Sequence, residues 1–270
     1  MADSSVRILL VGCGKMGGAM LQGWRREKGL GPFVAVEPGG VPALDGAADV
    51  RVVPDAGSIP ADFVPDVVVF ATKPQVMDKV VPPYARFAGR ALFVSVAAGK
   101  TIAFFRQHLG PSAAIVRAMP NTPAAVGRGI TVGCPTADVT PAQRELADTL
   151  LRSVGAVEWV ADEPLIDAVT AVSGSGPAYV FLLAETLAAA GAKVGLPAEL
   201  ATKLARATVA GAGELLHQSP ETAEQLRKNV TSPNGTTAAA LAILMGPGGF
   251  AGLLEKAVAA AENRSRELAS

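Results

Sequence analysis

Residues 6–17 read V-R-I-L-L-V-G-C-G-K-M-G, and they decide the first half of the fold. Val6–Val11 is an apolar run of strand length, and Ala19, Met20, Leu21 and Trp24 follow at helical spacing. Between them stands G-x-G-x-x-G. In a strand–turn–helix context, Gly12 makes the tight turn, Gly14 lets a pyrophosphate approach the backbone, and Gly17 lets helix and strand pack closely. Lys15 and Met16 share that turn as candidate dinucleotide contacts. The spacing predicts a dinucleotide-binding α/β domain at the start of the chain.

Strand patterns continue outward from this stretch. Phe33–Val36 ends at Glu37, about 20 residues beyond the fingerprint, where a carboxylate accepts hydrogen bonds from ribose hydroxyls and favours NAD. No Arg or Lys in Pro38–Ala48 offsets Glu37 against a 2′-phosphate. Val67–Ala71 and Ala91–Val96 are continuous apolar runs, as in a parallel sheet covered on both faces. They end in Thr72-Lys73-Pro74 and Ala97-Ala98-Gly99, turns that should line a cleft beyond the strands' carboxyl ends. Ala113–Ala118 runs into Met119-Pro120-Asn121-Thr122-Pro123, and Ile130–Gly133 and Val157–Val160 complete the sheet. A helix from Pro141 to Ser153 joins the last two, with Thr140 as N-cap.

Bulk composition narrows the function. The 270 residues can bury two modest cores without a disulfide or metal. Lys+Arg and Asp+Glu both total 24, and without a basic excess nucleic acid is not an expected partner. Cys13 and Cys134 lie far apart and His numbers 2, which predicts a reduced, cytoplasmic setting and no metal site. Met1–Ser5 is polar, so no secretory leader is expected. Thr236–Leu254 is nearly free of charge, but Gly246-Pro247-Gly248-Gly249 breaks it. That pattern predicts two buried helices and no membrane span.

Near Asp162 strand patterns stop and alanine-rich helical periodicity begins, which predicts a dinucleotide-binding domain over 1–161 and an all-helical one over 162–270. Asp162 and Pro164 start a helix interrupted at Ser173-Gly174-Ser175-Gly176-Pro177-Ala178-Tyr179. Helices follow over Pro177–Ala192, Pro197–Gln218, Pro220–Val230 and Gly248–Leu268. Between the last two lies a polar knot, Asn229, Thr231, Ser232, Pro233, Asn234, Gly235, Thr236 and Thr237, with a helix starting at Thr236 or Thr237. Bare N–H groups at a helix start beside hydroxyls suit a carboxylate.

The run Leu226–Leu241 resembles the C-terminal signature of the pyrroline-5-carboxylate reductases, with Asn234 where many members carry Gly. The glycine fingerprint, T-K-P, M-P-N-T-P and S-G-S-G-P-A-Y occur in that family's order over nearly the whole chain. The resemblance implies a Rossmann-like doubly wound sheet followed by an all-α dimerisation domain, as a homodimer or decamer. It also implies reduction of 1-pyrroline-5-carboxylate to L-proline by NADPH or NADH, with Glu37 leaning towards NADH. By the same resemblance Thr72, Lys73, Pro74, Ala97, Ala98 and Asn121 lie along the dinucleotide, and Asn229 lies between cofactor and substrate. Ser232, Gly235, Thr236 and Thr237 hold the substrate, Thr237 meets the ring nitrogen, and Glu163 sits near the proline ring.

Two rival readings are a 3-hydroxyacid-type dehydrogenase and a dinucleotide-binding redox sensor. The first resembles the chain at G-x-G-x-M-G, but Lys193 lacks the Asn that should follow its acid–base Lys. The second has no use for the polar knot.

Overall fold

The computed structural model describes residues 5–269. Eight strands form one sheet in the order β3-β2-β1-β4-β5-β6-β7-β8. They are β1 Val6–Val11, β2 Leu30–Val36, β3 Val50–Val53, β4 Val67–Phe70, β5 Leu92–Ser95, β6 Ile115–Met119, β7 Gly129–Pro135 and β8 Gly155–Trp159. The first six run parallel, whereas β7 is antiparallel to β6 and β8 is parallel to β7. The sheet is therefore mixed at one end.

Side-chain alternation explains the uninterrupted apolar strands. Ile8 and Leu10 face one core, with Met20, Leu21 and Trp24 of helix α1 (Lys15–Trp24) and Leu150 and Leu151 of α4 (Pro141–Arg152). Leu9 and Val11 face the other, with Met77 of α2 (Met77–Val80), Tyr84, and Phe105 and Leu109 of α3 (Ile102–Leu109). Both faces are covered, so central β4 is apolar at every position and β1 from Ile8 onward. Trp24 Nε1 donates to the Leu150 carbonyl at 2.8 Å and ties α1 to α4 without leaving a buried donor unpaired. Thr140 and Gln143 form a full capping box at the start of α4.

The expected helix after Asp162 is α5 (Leu165–Val169), continued by a π-turn over Thr170–Gly174. The helices after it are α6 (Gly176–Lys193), α7 (Ala198–Gln218), α8 (Ala223–Asn229), α9 (Thr236–Leu244) and α10 (Phe250–Ala269). By compactness the chain divides at Ser175. The second unit is Ser175–Ala261, and the end of the chain from Glu262 belongs to the first. The division falls later than Asp162 because α5 packs on β6 and β7, where Ile166 is fully buried in a cluster with Met119, Val132 and Cys134.

Within the second unit α6 and α7 pack together, with Gly191 allowing close approach to Ala201. Only Ala201 and Ala205 are fully buried among its described apolar residues. Within a single chain the two helices of Thr236–Leu254 leave apolar side chains exposed, with Ile243 at 77% and Leu253 at 59%. By length and composition the helical run Leu165–Lys193 could cross a membrane, a different stretch from the one weighed in the sequence.

Candidate active site

At the sheet's order reversal the chain builds a cleft. Backbone bonds from Gly12 to Val36, Glu37 to Val53 and Ala71 to Val11 hold the ends of β1 to β4 level. Gly12 takes φ +93°, and a Cβ there would stand 2.6 Å from Thr72 Cγ2. Gly17 would place a Cβ 2.1 Å from the Gly12 carbonyl oxygen, while nothing lies within 4 Å of one at Gly14. One glycine thus turns the chain, one packs the helix on the strand, and one leaves open space. Helix α1 starts at Lys15 with no side chain capping it, so its first N–H groups are available to an anion.

A cavity of about 940 Å³ opens beside this turn, lined by Gly12, Gly14, Glu37, Thr72 and Lys73 among the expected residues. Glu37 Oε2 accepts the Cys13 N–H at 2.8 Å, which fixes the carboxylate against the glycine turn. Burial, and then the Glu37 charge, push the Cys13 thiol up. The wall also includes Asp55, Lys79, Tyr84 and Arg86, which sequence reasoning missed. No Arg or Lys lies in Pro38–Ala48, and the cations of the cavity wall include Lys79 and Arg86 from after β4. Arg86 Nη2 donates to the Ala56 carbonyl at 2.9 Å and its guanidinium lies 4.8 Å from the Phe87 ring centroid.

The remaining expected residues lie elsewhere. Lys15 and Met16 are in the first turn of α1, and Pro74 opens a 3-10 turn after β4. Ala97 and Ala98 follow β5, with Ala97 buried and Ala98 exposed. Asn121 spends its amide internally: Nδ2 donates to Ser173 Oγ at 3.2 Å and Oδ1 accepts from Ile130 N at 3.0 Å. Its side chain holds the M-P-N-T-P loop in shape. Glu163 Oε1 accepts from Ile102 N and Arg117 Nη1, both at 2.8 Å, so this oxygen is engaged within the first unit.

The polar knot belongs to the second unit. Asn234 takes the left-handed conformation at φ 58°, as an Asn standing for Gly can. Ser232 O accepts from Gly235 N at 3.1 Å, and a Cβ on Gly235 would stand 2.3 Å from Ser232 Oγ. Gly235 caps α9 with no side-chain bond, leaving the N–H groups of Thr236 and Thr237 at an open helix start. Asn229 Oδ1 accepts from Gln225 Nε2 at 2.8 Å, and its Nδ2 donates to Glu221. Among the described residues no group of three His, Cys, Asp or Glu is placed to hold a metal.

Comparison with known proteins decides the family. Residues 163–268 match the model of the pyrroline-5-carboxylate reductase dimerisation region. A pyrroline-5-carboxylate reductase of Synechocystis is 42% identical over 98% of this chain and 98% of its own. The chain belongs to the pyrroline-5-carboxylate reductase family. A reductase structure from Coxiella burnetii superposes with TM-score 0.89 at 34% identity, covering 99% of both chains. Another, from Plasmodium falciparum with NADP bound, gives TM-score 0.82 at 28% identity over 99% of both. Reductase-family membership spans both halves of the sequence, the glycine turn and the polar knot alike.

Proposed function

We propose that the protein is an NAD(P)H-dependent pyrroline-5-carboxylate reductase that forms L-proline, working as a homo-oligomer. Full-length similarity to reductases at about two residues in five carries the reading. The residues present fit a dinucleotide: an open approach at Gly14, an uncapped helix start, and a long cleft ending at a fixed carboxylate. Gly12, Gly14, Lys15, Met16 and Gly17 would hold the pyrophosphate, Glu37 the adenosine ribose, and Thr72-Lys73-Pro74 with Ala97-Ala98 the adjoining length. Bound NAD(P)H would supply the hydride for the imine carbon, with the ring nitrogen protonated in the product.

The chain's own work is orientation and charge placement. Ser232 and the N–H groups of Gly235, Thr236 and Thr237 hold the substrate carboxylate, which the helix start favours. The Thr237 hydroxyl meets the ring nitrogen. Asn121 keeps the M-P-N-T-P loop in shape, Asn229 lies between cofactor and substrate, and Glu163 acts near the ring through the oxygen its two donors leave. The helices of the second unit carry the contacts between subunits, a reading supported by their exposed apolar side chains and the matched dimerisation region.

Losing one charge-assisted hydrogen bond costs about 1.5–3 kcal/mol, so Thr237→Ala should lower kcat/KM roughly ten- to a hundredfold. Thr237→Ser, which keeps the hydroxyl, should retain most of it. Steady-state kinetics showing no change in Thr237→Ala would remove that hydroxyl from the mechanism.

A further inference from the structure

Helix α10 has one buried residue among its described positions, and that residue is a serine. Ser265 is 5% exposed and its Oγ lies 2.7 Å from Asp167 Oδ1, a carboxylate itself 7% exposed. The same oxygen is 3.8 Å from Arg117 Nη2, while Arg117 Nη1 reaches Glu163 at 2.8 Å. Glu163 in turn accepts the N–H of Ile102, the first residue of α3. Arg117 is 2% exposed, and its Nε and Nη2 have no hydrogen-bond partner. A buried guanidinium so incompletely matched costs stability, so removing another member should shift the rest.

This chain of groups ends on the turn that follows β5. Gly99 within it has φ +72°, and a Cβ there would stand 3.1 Å from both Cβ and O of Leu268, one helical turn beyond Ser265. On its other side Lys100 Nζ pairs with Asp78 at 3.1 Å and lies 4.2 Å from the Phe104 ring centroid. The Ala97–Thr101 turn is thus held by α2 at Lys100, by the last turns of α10 at Gly99, and by Glu163 at Ile102, the residue after it.

We propose that Ser265 and Leu268 are positioning residues for the dinucleotide. Ser265 acts through Asp167, Arg117 and Glu163, and Leu268, 55% exposed, acts on Gly99 through its Cβ and carbonyl oxygen, so the chain's end sets the turn against which the cofactor lies. The inference rests on the reading that this turn lines the dinucleotide.

The test measures NADH and NADPH dissociation constants by calorimetry without substrate, and KM for each substrate during turnover, in Ser265→Ala, Ser265→Thr and Leu268→Gly, the last of which removes the Cβ that stands against Gly99. A lost buried hydrogen bond or close packing contact near a site corresponds to about a three- to tenfold loss of affinity. That loss is expected for the dinucleotide in Ser265→Ala and Leu268→Gly, with KM for pyrroline-5-carboxylate within about twofold, since a purely structural loss would not single out one ligand. Ser265→Thr should restore most of the affinity. Unchanged dinucleotide affinity in the folded variants, or equal weakening of both substrates, would overturn the proposal. Should Ser265→Ala fail to fold, Leu268→Gly decides by the same criterion. An unaltered protein that binds dinucleotide but does not turn over pyrroline-5-carboxylate would overturn the reductase reading while the binding data still judged this one. An unaltered protein that binds no dinucleotide would overturn both.

Discussion

Glu37 concentrates the selectivity question in one side chain. Its carboxylate is fixed by the Cys13 N–H at 2.8 Å, so it stays near the glycine turn and disfavours a second negative group there. Lys79 and Arg86 line the same cavity, and Arg86 is already engaged with Ala56 and Phe87. NADH should therefore be used well. Glu37→Gln keeps an acceptor for Cys13 but removes the charge, and should move the NADPH/NADH ratio of kcat/KM towards NADPH by about tenfold, equivalent to ~1.4 kcal/mol. Competing-cofactor kinetics check it: NADPH at least tenfold better in the unaltered protein, or no shift in the variant, would contradict this role.

At the scale of the element, the strand–turn–helix around Gly12 depends on close approach. A methyl at Gly17 would meet the Gly12 carbonyl at 2.1 Å, a backbone contact that no rotamer change relieves. Gly17→Ala should destabilise the protein by about 1–3 kcal/mol and abolish measurable dinucleotide binding. Thermal melting with added NADH reports both, and a variant stabilised by NADH as strongly as the unaltered protein would refute the packing argument.

The same stretch was legible in the sequence because its glycines and apolar period both pointed one way. The α4 cap was legible for a similar reason, with Thr140 directly before Pro141, and the structure adds Gln143 to complete the capping box. Strand β3 was not: Arg51 leaves Val50–Val53 only two consecutive apolar residues, whereas the equally short β4 is apolar throughout. Missing it hid the loop with Asp55 that helps wall the cavity. Helix α3 escaped because eight residues give barely two turns of periodicity, although Thr101 accepts from Phe104 N as an N-cap. Asn121 and Glu163 stood out as motif residues, but their bonds to Ser173, Ile130, Arg117 and Ile102 depend on tertiary placement that no spacing reveals.

For the whole molecule, the second unit has an apolar surface out of proportion to its core. Phe181 at 66%, Leu182 at 57% and Leu187 at 42% exposure lie on α6, a helix with no buried residue. A helix so apolar needs a partner surface, and burying one such side chain is worth about 1.5–3 kcal/mol. Phe181→Glu should yield a smaller species in light scattering and a lower melting temperature. An unchanged mass would place the subunit contact elsewhere.

The central claim is the reaction, and the most direct test follows absorbance at 340 nm with purified protein, NADH or NADPH, and pyrroline-5-carboxylate. The account predicts cofactor oxidation that requires the imine, yields proline, and proceeds well with NADH. Cofactor binding without imine-dependent oxidation by either dinucleotide would contradict it.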